Sequence, residues 1–116
     1  MLPQINRLKK DKDFEKVFKK GKGYKENFLY LKIIPNNLKI SRFGFITSKK
    51  FSPKAVLRNK IKRKLRELIR IILPQVKKNI DGVIIVMPGF RVNDFWELEG
   101  VINKLFKKTG ILKKLK

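Results

Sequence analysis

The stretch RNKIKRKLRE, residues 58 to 67, places six cationic side chains, one Asn and one Glu in ten positions. Such a set is suited to phosphate: Arg offers a planar fork of donors, Lys a point charge, and Asn both a donor and an acceptor. On a helix, 100° per residue puts Leu57, Ile61, Leu65, Leu68 and Ile72 on one arc, with Asn59, Lys62, Arg63, Arg66 and Arg70 roughly opposite. Arg58 and Lys60 fall on the flanks of that cationic stripe. Residues one turn apart rise by about 5.4 Å, so the stripe can follow a phosphate backbone. Lys49 and Lys50 precede the helix and Lys54 falls in its first turn, where positive charge opposes the helix dipole and a bound phosphate would relieve it. A solvated helix face shows the same pattern, so charge alone leaves both readings open.

Aromatic residues supply a second kind of contact. Phe14 and Phe18 share a helical face, and Phe28 and Tyr30 share a strand face, because strand side chains alternate with period two. Exposed beside the cationic stripe, such a pair would stack on unpaired bases. Burial in the core is the commoner fate of large apolar side chains and is the competing reading. The chemistry missing from the chain is equally informative. With no Cys and no His, disulfides, thiolate nucleophiles, imidazole bases and Cys or His zinc sites are excluded. Its nine Asp and Glu are scattered along the sequence and suggest no two-metal cluster.

Thirty-one Lys and Arg oppose those nine acids, a formal charge of +22 spread over nearly every segment. Such self-repulsion calls for a polyanionic partner, and nucleic acid is the leading candidate. An anionic membrane surface is the other, but the apolar residues are distributed as strands and helices committed to one core. No signal-peptide core and no run long enough to span a membrane is visible, so the expectation is a cytoplasmic protein without membrane association.

These residues need elements to position them. Asp11 or Asp13 opens a first helix carrying Phe14, Val17 and Phe18, which Gly21 and Gly23 end. NFLYLKII (27 to 34) reads as a strand, and PNN (35 to 37) as a turn. A second strand starts near Leu38 and runs, whole or split in two, to Ser48, with Gly44 marking a bulge or a close backbone approach. The basic helix has Ser52 as its cap and Pro53 at its first position, and Pro74 stops it after Leu73. DGVIIVMP (81 to 88) suits a strand buried on both faces. Asn93 or Asp94 caps a last helix with Phe95, Leu98, Ile102, Leu105 and Phe106, Asp94 and Glu97 resembling a capping box. Residues 111 to 116 are basic and expected to fray. The order α-β-β-(β)-α-β-α in 116 residues predicts one α+β domain, a two-layer sandwich of three helices on a small mixed sheet.

Taken together, SKK at 48 to 50, KAVLRNKIKRKLRE at 54 to 67 and NRLKKDKDFEKVFKKG at 6 to 21 resemble the bacterial ribonuclease P protein family, in the right order along nearly the whole chain. The resemblance implies a small basic protein that binds a large catalytic RNA, the holoenzyme cutting precursor tRNA to leave a mature 5′ end. It further implies that the RNA performs the hydrolysis with Mg²⁺, while the protein helps to hold the 5′ leader, with no obligate protein partner. By position, Arg58, Asn59, Lys62, Arg63 and Arg66 would face RNA, and Phe14, Phe18 and Tyr30 would line the leader cleft. The implied fold includes a left-handed βαβ crossover, against the usual hand. A noncatalytic RNA-binding protein of ribosomal type fits the charge equally well, and a protein-only metallonuclease would need carboxylates clustered in space.

Overall fold

A computed structural model describes residues 2–47, 54–88 and 96–112. Its elements are α1 (Asp11–Lys20), β1 (Lys22–Glu26), β2 (Leu29–Pro35), β3 (Arg42–Thr47), α2 (Ala55–Ile72), β4 (Ile80–Val86) and α3 (Leu98–Thr109). The four strands form one sheet in the order β1-β2-β4-β3. β1 with β2 and β2 with β4 are antiparallel, whereas β3 runs parallel to β4 and is joined to it through α2. The expected α+β architecture, three helices on a small mixed sheet, is the one observed.

The fourth strand comes from a different place than expected. It is not a piece of the segment starting at Leu38 but KGYKE at 22 to 26, which forms a hairpin with β2. Its sequence conceals it, since only Tyr24 packs against the main core while Lys22, Gly23 and Lys25 are exposed at a sheet edge. Lysines on an edge strand discourage pairing with another chain. Asn27 makes the tight turn with φ 51, a left-handed conformation that Asn tolerates better than most residues. Phe28 sits in that turn and packs against the main core, so it does not share a face with Tyr30 as strand alternation alone suggested.

Boundaries move for local reasons. Residues 37–40 bend instead of extending, because Asn36 accepts from the Leu38 backbone N–H at 2.8 Å and donates to the Ile40 carbonyl at 3.2 Å. That side-chain turn delays β3 to Arg42. α2 begins at Ala55 with Lys54 in the cap position, and α3 at Leu98 with Glu97 in the cap position and no side-chain cap, in place of the Asp94–Glu97 capping box. Ser52, Pro53, Asn93, Asp94 and Phe95 lie outside the described residues.

The core is built on one face of the sheet. α2 contributes Ile61, Leu65, Leu68, Ile69 and Ile72, α3 contributes Leu98, Val101, Ile102, Leu105 and Phe106, and the sheet contributes Leu29, Leu31, Phe43, Ile84 and Val86. Burial of such side chains stabilises by about 1.5–3 kcal/mol each relative to exposure. The opposite face is covered only in part. There α1 and the segment before it pack Leu8 and Val17 on Val83, with Phe14, Ile34, Ile46 and Ile85 at the margin. The main helix-on-sheet sandwich is therefore α2 and α3 on one side, and α1 is an added element on the other.

One polar group enters this frame. Asp81, on the buried strand β4, accepts Arg42 Nε at 2.9 Å and Nη2 at 2.6 Å, and also Asn36 Nδ2 at 2.8 Å. The hydrogen bonds to Asp81 hold the Arg42 guanidinium above its ordinary pKa. Its remaining nitrogen, Nη1, reaches Asp13 of α1 at 3.3 Å. A buried carboxylate stripped of its cation is costly, so Arg42→Met should lower unfolding free energy by about 3 kcal/mol in denaturant titration, far more than an exposed Arg on α2.

Candidate nucleic-acid interface

α2 is two-faced in the way its spacing requires. Ile61, Leu65, Leu68 and Ile72 of the expected apolar arc are buried, joined by Ile69, and Leu57 is half-buried. Asn59 and Arg63 are exposed on the outer side, with Arg58, Lys62 and Arg66 partly so. Val56, Asn59, Arg63 and Arg66 line one open depression, so the i, i+4 and i+7 spacing has brought an amide and two guanidinia to a common surface. Lys62 and Arg63 meet no acidic side chain among the described residues. Lys54 is exposed at the N-terminus of the helix. Lys49 and Lys50 lie outside the described residues.

Arg70 behaves differently. It lies on the expected stripe, but Glu67, one turn earlier, accepts Nη2 at 2.5 Å and Nε at 3.1 Å. Hydrogen bonding to Arg70 is the largest cause that lowers the Glu67 carboxyl, to about 2, so both partners are charged at neutral pH and the guanidinium has a counterion where it stands. The wheel placed Arg70 correctly in angle but gave no weight to the acid three residues before it.

Arg66 turns toward the sheet. Its guanidinium lies 5.9 Å from the Phe45 ring centroid, a cation–π distance. Partial burial first, and the neighbouring Arg7 cation second, lower its pKa from the usual arginine value. Arg7 is there because the N-terminal segment runs parallel to the edge strand β3, where Arg7 pairs with Phe43 and the Leu8 N–H donates to the Phe43 carbonyl at 2.9 Å. Arg7, Lys9, Phe14, Gly44, Phe45 and Arg66 together border a second cavity, with three cations and no acid on its walls. Two like charges held side by side raise the local potential and favour an anion between them. Sequence reasoning did not single out Arg7 or Lys9. The signal was the basic run NRLKK ahead of the first helix, but nothing in it announces pairing with a strand far along the chain.

The aromatics sit on the sheet face that α1 only partly covers. The Phe14 ring rests directly on Gly44, where an added Cβ would come within 2.4 Å of it. Glycine at 44 is thus a close backbone approach, one of the two roles its position in a strand suggested. Phe14 both packs in the small cluster and lines the cationic cavity. Phe18 is 36% exposed, and Lys32 from β2 reaches over it, donating to the Phe18 carbonyl at 2.7 Å with Nζ 6.0 Å from the ring. Tyr30, two residues before Lys32, is on the same face and lies across Gly23 of β1, where a Cβ would meet the phenol. Arg66 belongs to the outer depression and the inner cavity alike, so the α2 stripe continues around the β3 edge to Phe14.

Carboxylates near this surface are already engaged: Asp13 and Asp81 by Arg42, Glu67 by Arg70. Among the described residues no group of three or more His, Cys, Asp or Glu is arranged to hold a metal ion. Also among the described residues, no helix is long and apolar enough to cross a membrane.

Losing the unopposed Arg63 should weaken RNA binding about tenfold and lower the log–log salt slope by about one, with the thermal midpoint unchanged. Arg70→Ala, removing a cation already paired with Glu67, should cost less in the same filter-binding measurement of RNA affinity.

The same architecture occurs in solved structures. The Staphylococcus aureus RNase P protein superposes with a TM-score of 0.83 at 25% identity, covering 93% of this chain and 98% of that one. The RNase P protein from Thermotoga maritima gives 0.74 at 30% identity, over 88% and 96%. In sequence, the ribonuclease P protein component of Microcystis aeruginosa is 45% identical over 115 residues, 96% of each chain, and that of Dictyoglomus turgidum 38% identical over 114 residues, 97% of this chain and 95% of the other. The family model described as Ribonuclease P matches residues 2–110. On that coverage, the chain belongs to the ribonuclease P family.

Proposed function

We propose that the chain works as the protein subunit of ribonuclease P, supporting removal of the 5′ leader from precursor tRNA by a catalytic RNA. The observation that carries this reading is the continuity through Arg66, which joins a cationic helix face to an aromatic, partly uncovered sheet face. Paired RNA presents a regular phosphate backbone, which suits the stripe of Asn59, Lys62 and Arg63 beside Arg58 and Lys54. A single-stranded leader presents unstacked bases and flexible phosphates, which suit Phe14, Phe18 and Tyr30 flanked by Arg7, Lys9, Lys32 and Arg66. The protein's part is to bind and orient. Asp13, Asp81 and Glu67 serve as counterions to its own arginines, and hydrolysis and the Mg²⁺ it needs are assigned to the RNA. The natural partners are that RNA and precursor tRNA, met in the cytoplasm.

Addition of the protein to the RNA subunit at low Mg²⁺ should raise the rate of precursor cleavage. An unchanged rate would favour a ribosomal-type binder, and cleavage without RNA a protein-only nuclease. Within the holoenzyme, Phe18→Ala should weaken binding of leader-bearing precursor by roughly fivefold or more, the value of one lost base-stacking contact, and spare mature tRNA. Equal losses for both would return Phe18 to a packing role.

A further inference from the structure

We infer that Asp13, held by Arg42, is a positioning residue for the leader cleft: the pair fixes the N-terminal half of α1, and with it Phe14, at a set distance from the sheet. The inference rests on the cleft reading above and adds to it a part that touches no RNA.

α1 is thinly attached. Val17 is its only fully buried side chain, and much of the rest of the helix is exposed Lys, Asp and Glu. Two polar links fasten it from the sheet, one near each end. Lys32 donates to the Phe18 carbonyl at 2.7 Å near the C-terminal end, and Arg42 Nη1 meets Asp13 Oδ2 at 3.3 Å in the first turn. Phe14, Val17 and Phe18 lie between or beside these links.

The Arg42 link is unusually well founded for a partly exposed ion pair. Two of its nitrogens are spent on Asp81, which is buried on the central strand β4 and is itself held by Asn36. The guanidinium is planar, so fixing one edge by two hydrogen bonds fixes the direction of the third. Arg42 is therefore a post rooted in the sheet, with Asp13 resting against it. Asp13 directly precedes Phe14, whose ring lies on the bare backbone of Gly44 with no side chain beneath to hold it at another height. The same ring lines the cavity that contains Arg7 and Arg66. A lift of the first turn of α1 would carry Phe14 away from both cations. With Asp13 itself 26% exposed, the pair adds little to global stability, and its effect is on geometry.

Asp13→Asn tests this directly, because it removes the charge that draws Arg42 Nη1 to α1 and leaves Arg42 on Asp81. In reconstituted holoenzyme, the ratio of affinities for leader-bearing precursor and mature tRNA should fall about threefold, the scale of one partly exposed ion pair. Amide hydrogen exchange should quicken in α1 alone, the thermal midpoint and affinity for the RNA subunit should hold, and Asp13→Glu should restore the ratio. Phe14→Ala serves as the reference. If it lowers the ratio and Asp13→Asn does not, the positioning role is wrong and the cleft reading stands. If neither lowers it, the cleft reading fails and takes the inference with it. A ratio that falls only in step with the thermal midpoint would also overturn the positioning role.

Discussion

Burial of Ile61, Leu65, Leu68, Ile69 and Ile72 against the sheet is what allows α2 to carry so many cations on one short rod. Repulsion among Arg58, Lys60, Lys62, Arg63, Lys64 and Arg66 works against helix formation, and no acidic side chain stands in the first turn of the helix to offset it. The apolar arc supplies the opposing term. Because that arc is fixed by packing, the direction of the charged side is fixed too, and the stripe is presented to solvent as a rigid edge instead of a flexible tail. An anion that binds there is met by groups whose orientation was settled on folding.

The edge strand β3 extends this arrangement beyond the helix. A parallel strand at a sheet margin leaves backbone groups unpaired, and part of the margin is closed by the N-terminal segment at Arg7 and Leu8. The same closure sets Arg7 beside Arg66 and Phe14 over Gly44. Covering an exposed strand and assembling a cationic, aromatic-walled recess are thus one structural act. Burial first and the Arg7 cation second lower the Arg66 pKa, and a bound phosphate would offset the repulsion between the two arginines.

Much of this was legible in the chain itself. The apolar arc of α2, the outward turn of Asn59 and Arg63 and the amphipathic first helix follow from periodicity, which reports local geometry directly, and the continuous apolar run expected as a strand at 81 to 88 is β4 at 80 to 86. What periodicity could not show was anything set by a distant partner. β1 has no apolar alternation of its own and exists because β2 pairs with it. Phe28 left the face it shared by counting because Asn27 turns the chain beside it. Arg70 found a counterion in Glu67, while Arg7 gained its place from β3, the first a matter of rotamer and the second of tertiary pairing.

The seating of β4 between β2 and β3 has a consequence for how the molecule is made. Both neighbours precede it in the chain, yet neither pairs with the other, so no strand pairing joins the two halves of the sheet until residues 80–86 arrive. A polypeptide emerging from the ribosome would hold the β1–β2 hairpin and the whole of α2 before it could close its interior. Such late, non-local closure slows folding. For a chain this positively charged, it also means that the segment best suited to polyanions is synthesised well before the apolar side of its helix has anywhere to go.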